Sequence, residues 1–441
     1  MSTFLKGTIL LVLVAFIGEC VEFLVNMVLA KELGEAGMGL YMTILPSIFL
    51  VVILASLELP ISISKLVAER ERKYHYTMLQ HATKLTVFVT CILMLLTAVV
   101  IPHVPVFQDY HPYVKWLVVV LIPLISFMSI ARGYFMGIQA MGKIAFANFL
   151  RKAVQLLLLV FVYQLFDFQL EVAIFIALCT IVASDIVVFG YLAYEYILRI
   201  RQIRRHPKES MQPRELRQSL LAISLPTTGM RIFHAISHAV QPFLIKAALI
   251  KAGIPAAIAN EHFGLLAGVA LTIGFFPAFI AHSLLIVLIP TVSESYAKKD
   301  YVRLQTLLQK VMKFTFLYGV PAVVLFYFFG EPLTHLFFES TAATLYLQLL
   351  WPYFLFHFFV IPMQAYLIGL GLVKDALYHN VWSTVVSFIF MFVLGSIQQL
   401  NMEGIIIGMN MGAVLLTLMH YVTICKKIGL SIFLKDLVKN Y

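Results

Sequence analysis

Residues 199–217 read RIRQIRRHPKESMQPRELR and form the longest polar connection in the chain. On both sides of this basic stretch the sequence is strongly apolar. Of the 441 residues, 61% are hydrophobic and 12% are charged, whereas about 25% are charged in an average soluble domain. So few charged side chains cannot cover the surface of a soluble particle of this size. A soluble globular protein is therefore excluded, and lipid is the expected outer solvent.

Twelve segments are long enough to cross a bilayer, which takes about 20 mainly apolar residues. They are 5–30, 40–66, 79–102, 115–138, 146–166, 171–196, 219–247, 262–290, 306–329, 345–370, 376–398 and 403–424. Six precede the polar connection and six follow it. The sequence predicts an all-α polytopic membrane protein with an N-terminal six-helix bundle (1–198), a basic cytoplasmic linker (199–218) and a C-terminal six-helix bundle (219–441).

The distribution of basic residues predicts the orientation. With the N-terminus in the cytoplasm, nearly all Lys and Arg residues fall on the cytoplasmic connections, as the positive-inside rule requires. Both termini are then expected in the cytoplasm, and the location expected is the plasma membrane. Because topology explains the formal net charge of +10, we expect no nucleic-acid partner.

An internal repeat relates the two halves at an offset of 225 residues. The stretch Gly39–Tyr76 then aligns with Gly264–Tyr301 without gaps, and identical pairs include Gly39 with Gly264 and Glu69 with Glu294. Since both halves enter from the same side, this repeat would be parallel, about an axis along the membrane normal. The two bundles are therefore expected to be pseudo-symmetric.

Two helical stripes of polar residues lie within apolar spans. The seventh span carries one at spacings of three, four and three: Arg231, His234, His238 and Gln241. The first span carries another at spacings of three and four: Glu19, Glu22 and Asn26. Such spacings put each set on one helix face, and ionisable groups at bilayer depth are functional candidates by default.

Two interpretations of these stripes stay open. In one, Glu19 or Glu22 pairs with Arg231 or a histidine and only holds the halves together. In the other, the stripes line a hydrated cavity in which Arg231 attracts an anionic group, since a guanidinium binds phosphate through two parallel hydrogen bonds. The first-span set would then serve in gating or proton coupling.

Further intramembrane polar residues are weaker candidates. Asp185 in the sixth span is either a proton or cation site or a structural partner within the first half. Three others are placed at the cytoplasmic mouth: Glu58, Lys65 and Arg132. Glu58 is either a gate or the salt-bridge partner of Lys65. For Arg132, as for the neighbouring Arg151 and Lys152, ordinary anchoring by positive charge is the simpler explanation.

Enzyme motifs are absent from the sequence. It contains no HExxH, no CxxC and no nucleophile elbow, so we expect no catalytic residue, no metal site and no enzyme. The four cysteines have no metal-binding spacing and are interpreted as unpaired thiols. Glycines four residues apart in the last span predict close helix packing: Gly404, Gly408 and Gly412. No cofactor is expected, although a proton or sodium gradient could drive transport.

Several stretches resemble the stage V sporulation protein B-like family of polysaccharide biosynthesis proteins. These are LGEAGMGLY (33–41), SLELPISISKLVAER (56–70), RGYFMGIQAMGKIA (132–145), FFPAFIAHSLLIVLIPTVSESYAKKD (275–300) and GLGLVKDALYHN (369–380). The family belongs to a superfamily of multidrug/toxin exporters and lipid-linked oligosaccharide flippases. This resemblance implies about twelve helices in two bundles around a central cavity, which opens alternately to either side.

The resemblance also implies a substrate: a lipid-linked sugar or peptidoglycan precursor of the polyprenyl-pyrophosphate type. Its anionic head would bind at the Arg231 stripe, and the other expected partners are membrane lipids and envelope-synthesis proteins. The acidic first span departs from the pattern of precursor flippases and is closer to that of a proton-coupled exporter of cations. Two alternatives therefore remain: a cation-coupled multidrug/toxin antiporter, and a non-transporting scaffold in a sporulation complex.

Overall fold

The computed structural model describes residues 3–57, 59–69, 71–204, 213–338 and 341–430. Most of the chain in these ranges is helical, and no β-strand is found in them. The α-helices, in chain order, are α1 (Thr3–Ser56), α2 (Leu59–Glu69), α3 (Arg72–Val100), α4 (Val114–Gly137), α5 (Met141–Leu165), α6 (Leu170–Arg204), α7 (Pro213–Lys251), α8 (Ala256–Gly264), α9 (Leu271–Phe275), α10 (Ala278–Ala297), α11 (Tyr301–Phe328), α12 (Gly330–Thr334), α13 (Thr341–Leu349), α14 (Trp351–Gly369), α15 (Val373–Gly395) and α16 (Asn401–Ile428).

Eleven helical segments of the described chain are long and apolar enough to cross a membrane. The first, Phe16–Val67, contains parts of two predicted spans, and each of the other ten corresponds to one. Within α1 the helical geometry is interrupted at Gly34, where φ is 68° and ψ is 178°. Glycine adopts this conformation without the strain a Cβ would cause. The predicted all-α polytopic fold is confirmed.

Three predicted spans are interrupted, and there the prediction of a continuous segment was wrong. One of them, 40–66, is divided between α1 and α2, where the φ of Leu57 is 45°. The other two lie in the C-terminal half. The span predicted at 262–290 is divided between α9 and α10, with Pro277 at the break, where a proline contributes no backbone N–H. The span predicted at 345–370 is divided at Leu350, between α13 and α14. Asn410 bridges the break at Leu350: its Oδ1 accepts from the Tyr353 N–H at 3.0 Å, and its Nδ2 donates to the Leu349 carbonyl at 3.0 Å.

The contacts divide the chain into two compact units. The N-terminal unit comprises Cys20–Leu33 and Leu40–Val240, and the C-terminal unit comprises Met1–Glu19, Gly34–Gly39 and Gln241–Tyr441. This division falls within α7 and not at the predicted linker, of which residues 205–212 lie outside the described ranges. The predicted domain boundaries stay a prediction.

In the N-terminal unit, α4 packs closely on α2. A Cβ added to Gly137 would lie 2.6 Å from the Cβ of Val67 and 2.8 Å from the carbonyl oxygen of Ser64. Tyr134, one turn earlier on α4, is fully buried in the same core. Only a residue without a side chain allows α4 to lie this close to α2.

The C-terminal unit repeats this arrangement with α14 on α10. A Cβ added to Gly369 would lie 2.8 Å from the Cβ of Val292 and 3.0 Å from the carbonyl oxygen of Ile289. Val292 and Ile289 are the residues 225 positions after Val67 and Ser64, and Tyr366 is buried as Tyr134 is. The internal repeat of the sequence therefore has a counterpart in the packing of each unit.

A very close helix crossing lies within the C-terminal unit, between residues 34–39 of α1 and the segment around α8. A Cβ added to Gly39 would lie 2.0 Å from the carbonyl oxygen of Asn260, and one added to Gly264 would lie 2.6 Å from the backbone nitrogen of Gly39. The Asn260 amide also donates to the Ala36 carbonyl at 2.8 Å. Gly39 and Gly264 are equivalent in the repeat, so the crossing joins equivalent backbone positions.

The predicted glycine ridge of the last span is confirmed. Cβ atoms added to Gly404 and Gly408 would each lie 2.4 Å from backbone atoms of α15, and one added to Gly412 would lie 2.6 Å from the Cβ of Ser387. The Ser387 hydroxyl donates to the Gly408 carbonyl at 3.0 Å. Small residues allow α15 and α16 to pack backbone to backbone.

Candidate functional site

An ion pair joins the first span to α5 inside the N-terminal unit. The Lys152 ammonium lies 3.5 Å from the carboxylate of Glu22, with 17% of the lysine side chain and 42% of the glutamate side chain exposed. Lys152 is eleven residues into α5, which is about 16 Å along a helix that rises 1.5 Å per residue. The pair therefore lies well inside the span and not at its end.

A second acidic group of this unit, Asp185 on α6, is more deeply buried, with 3% of its surface exposed. The positive charges that act on its carboxyl group are those of Arg151 and Arg132. Arg132 is on α4, and its Nη1 donates a hydrogen bond to the Oδ1 of Asn148 on α5, at 2.9 Å. Two guanidinium groups thus compensate the buried carboxylate, as the cost of burying a charge requires.

Tyr41 connects these two groups of charges. Its side chain is buried, and the charges of both Glu22 and Arg151 act on its hydroxyl. Tyr41 was not predicted from the sequence, and Arg151 and Lys152 were expected near the cytoplasmic mouth. Their distance from the start of α5 is the signal that would have identified them, but the predicted span began at 146, five residues later than the helix does.

The predicted stripe on α7 lies on one part of the helix surface. Arg231 and His238 are exposed, His234 is half-buried, and the charges of Arg231 and His238 both act on the His234 imidazole. Gln241 lies on the same helix face of α7. It is the first residue of α7 that belongs to the C-terminal unit. The structure therefore brings Arg231, His234 and His238 together.

Positive charge exceeds negative charge in the interior of the N-terminal unit. Four cations lie away from the helix ends on α4, α5 and α7, namely Arg132, Arg151, Lys152 and Arg231, beside the carboxylates Glu22 on α1 and Asp185 on α6. The other charges along these helices offset one another, because Lys31 is next to Glu32 on α1 and Glu195 on α6 pairs with Lys143 on α5. Three of the four cations are arginines, whose planar donors suit carboxylate and phosphate oxygens. This interior can therefore compensate an anionic group.

The remaining candidates have surroundings of their own. Glu19 belongs to the C-terminal unit, where its charge acts on His282 of α10. The neighbouring Phe16 ring packs against Phe279, with centroids 5.2 Å apart. Asn26 is half-buried on α1 and Lys65 is exposed on α2, whereas Glu58 lies outside the described residues.

Metal-ligand and thiol chemistry find little support in the described ranges. No group of three or more His, Cys, Asp or Glu side chains suited to a metal ion occurs in that part of the chain. The four cysteines are unpaired, as predicted: Cys20, Cys91, Cys179 and Cys425.

Comparison with known proteins identifies the family. Residues 4–296 match the family described as polysaccharide biosynthesis protein, and residues 266–393 match the family described as MatE. The chain is 53% identical to sporulation protein YkvU of Bacillus subtilis over 434 residues, which covers 98% of each chain. It is 29% identical to stage V sporulation protein B of the same organism, covering 100% of this chain and 87% of that protein.

Among solved structures, an inward-facing multidrug resistance MATE family transporter of the MOP superfamily has the same fold. The TM-score is 0.73 at 17% sequence identity, and the match covers 93% of this chain and 94% of that one. Together, the sequence and fold comparisons show that the chain belongs to the polysaccharide biosynthesis protein family, in the exporter superfamily that includes the stage V sporulation protein B-like proteins.

Proposed function

We propose that this protein is a flippase that moves a lipid-linked sugar or peptidoglycan precursor from the cytoplasmic leaflet outward. The observation that carries the proposal is the excess of positive charge in the N-terminal unit, where Arg132, Arg151, Lys152 and Arg231 accompany the carboxylates of Glu22 and Asp185. Cations at bilayer depth are favourable where they face water or an anionic group. A polyprenyl-pyrophosphate head would bring such an anionic group into this positively charged region.

The α7 stripe is the proposed binding site for that head group. The guanidinium of Arg231 binds phosphate oxygens in pairs, while His234, His238 and Gln241 donate hydrogen bonds to the sugar and the second phosphate. Arg231 and His238 are exposed on the surface of α7, so both can reach a ligand. A relative that is 23% identical over 100% of this chain is named lipid II flippase MurJ, which supports the same class of substrate.

The acidic and amide side chains are proposed to serve gating and proton coupling. Glu19, Glu22 and Asn26 lie on the first span, and Asp185 lies beside two arginines. A proton or sodium gradient would supply the energy, with the two halves giving alternating access. The proposed setting is the plasma membrane, with both termini cytoplasmic, in envelope or spore cortex synthesis.

Native mass spectrometry of protein extracted gently from its own membranes tests the binding site. We expect wild type to carry a species with the mass of a polyprenyl-pyrophosphate sugar, and Arg231→Ala to lose it while keeping its unfolding temperature. The matched control is Arg201→Ala, which removes an exposed arginine from the end of α6 and should retain the bound species.

Other outcomes would contradict this assignment. If Arg231→Ala transported and bound the precursor as wild type does, the α7 stripe would not be the site. If wild type carried only bulk phospholipid and bound cationic dyes in a manner that Glu22→Gln abolishes, the antiporter alternative would replace the flippase. If neutralising both stripes left the sporulation phenotype intact, the non-transporting scaffold would be supported.

A further inference from the structure

Two buried histidines face each other in the C-terminal unit, away from the proposed substrate site. His379 on α15 is 8% exposed and His420 on α16 is fully buried. Their Nδ1 atoms are 3.1 Å apart, and their rings are 5.1 Å apart between centroids. On the far side of His379, Nε2 lies 3.3 Å from the Thr423 hydroxyl. His420 Nε2, in contrast, is buried with no hydrogen-bond partner among the described residues.

This geometry restricts how many protons the pair can hold. An Nδ1 to Nδ1 hydrogen bond contains one hydrogen, so one ring donates and the other accepts. Two cationic rings would direct two N–H groups at each other and place two charges in contact. The pair can therefore be neutral or carry one added proton, but it cannot carry two.

Hydrogen bonding also selects the arrangement of the neutral pair. If His379 donated its Nδ1–H, His420 would carry its hydrogen on Nε2, where the structure provides no acceptor. If His420 donates instead, the His379 hydrogen is on Nε2 and the Thr423 hydroxyl accepts it. Because an unmatched buried donor is costly, the second arrangement is favoured. His420 Nε2 is then a free lone pair inside the protein.

One charged group of the surrounding helices acts on the pair. Asp375, one turn before His379, is the charged group that acts on that ring. Several other groups on α14 and α16 have partners of their own: Tyr421 bonds with Cys425, Tyr366 donates to the Leu304 carbonyl, His357 packs against Phe275 and Tyr353, and the Lys427 ammonium lies over the Tyr296 ring. Met363, Leu367, Ala376 and Ile424 form part of the neighbouring apolar core.

We propose that the His379–His420 pair is a binding site for a single proton, and that its occupancy changes the packing of α16. The added proton bonds to His420 Nε2 and creates a buried cationic N–H with no acceptor. That group is stable only if water or a carbonyl reaches it, so protonation favours a state in which α15 and α16 have moved apart. The further role of this proton as the coupling ion of a transport cycle rests on the proposed transport function.

Nuclear magnetic resonance of protein labelled with ¹³C and ¹⁵N at histidine, reconstituted in nanodiscs, tests the site directly. At pH 8 we expect one ring in the Nδ1–H form, coupled through its hydrogen bond to a ring in the Nε2–H form. The signals of this hydrogen-bonded pair should be lost in His420→Gln and retained in the control His357→Gln. Between pH 8 and pH 5 the pair should gain one proton.

Hydrogen–deuterium exchange of α15 and α16 over the same pH range tests the conformational effect. We expect faster exchange in wild type at low pH and no pH-dependent change in His420→Gln. If His420→Gln fails to fold, His379→Gln serves in its place. Two rings that stay neutral to pH 5, two rings that both become cationic, or exchange that does not depend on pH would each overturn the proposal.

These measurements need no transport substrate. If the precursor is absent from wild type in the mass spectrum while the pair still takes up one proton, the flippase fails and the proton site stands. If the precursor is bound and the pair does not titrate, the proton site fails alone.

Discussion

Replacing Gly39 by alanine is expected to destabilise the protein by about 3 kcal/mol or more, at the upper end of the cost of overpacking. The reason is that the new Cβ would lie 2.0 Å from the Asn260 carbonyl oxygen, a backbone atom that no rotamer change can move. The helices must separate, and the 2.8 Å hydrogen bond from the Asn260 amide to the Ala36 carbonyl is then lost. Thermal unfolding of the purified protein in nanodiscs measures the effect.

The matched control is Gly190→Ala. Gly190 lies in α6, another membrane-spanning helix, and a Cβ there would meet nothing within 4 Å. Alanine is the better helix former by about 1 kcal/mol, so this variant should unfold at the wild-type temperature or above it. The comparison separates a steric effect of the crossing from a general effect of replacing glycine in a span.

Gly264→Ala should have a comparable effect, and the two substitutions should not be additive. A Cβ on Gly264 would lie 2.6 Å from the Gly39 nitrogen and from the Glu35 carbonyl oxygen. Once either alanine has forced the helices apart, the second has less to displace, since mutations that share a contact couple. If Gly39→Ala unfolded at the wild-type temperature, or if the two losses simply added, the close crossing would be contradicted.

The fold was largely predictable because a span is a matter of length and hydrophobicity. Every predicted span has a helical counterpart in the described chain. The interruption within 345–370 was not predictable from hydropathy, because the residues around Leu350 are as apolar as those on either side. There an amide from another helix, that of Asn410, satisfies the backbone groups at the break.

The charged cluster was harder to predict, because its membership depends on where helices begin. Helix α5 begins at Met141, five residues before the predicted span, and five residues correspond to about 7.5 Å of helix. That shift moves Lys152 from the mouth to the interior. The partner of Glu22 was not predicted either: the sequence suggested Arg231 or a histidine, whereas the structure pairs Glu22 with Lys152 of α5.

Reversing the charge of Lys152 is expected to destabilise the N-terminal unit strongly. In Lys152→Glu, a second carboxylate replaces the ammonium that lies 3.5 Å from Glu22, so attraction becomes repulsion within a span. Removing one partner of a fully buried pair costs about 3–5 kcal/mol. Because 42% of the Glu22 side chain is exposed, solvent screening reduces the expected loss to about 1–3 kcal/mol.

The double exchange Glu22→Lys with Lys152→Glu distinguishes this pair from a general need for positive charge. It restores opposite charges at the same distance and leaves the net charge unchanged, so we expect it to unfold closer to the wild-type temperature than either single variant. A double-mutant cycle of unfolding free energies gives the coupling, expected at about 1–2 kcal/mol. A coupling near zero would show that the two side chains do not interact.

The exposed pair between Lys298 and Glu294 provides the matched control. It joins residues four apart on one helix, with 64% and 52% of the side chains exposed, so the same exchange should produce little coupling.

Binding of the precursor gives a second comparison. If the interior cations attract the head group through their total charge, the double exchange retains binding. Lys152→Glu alone lowers the net charge of the cluster by two and should weaken binding at least about tenfold, or 1.4 kcal/mol.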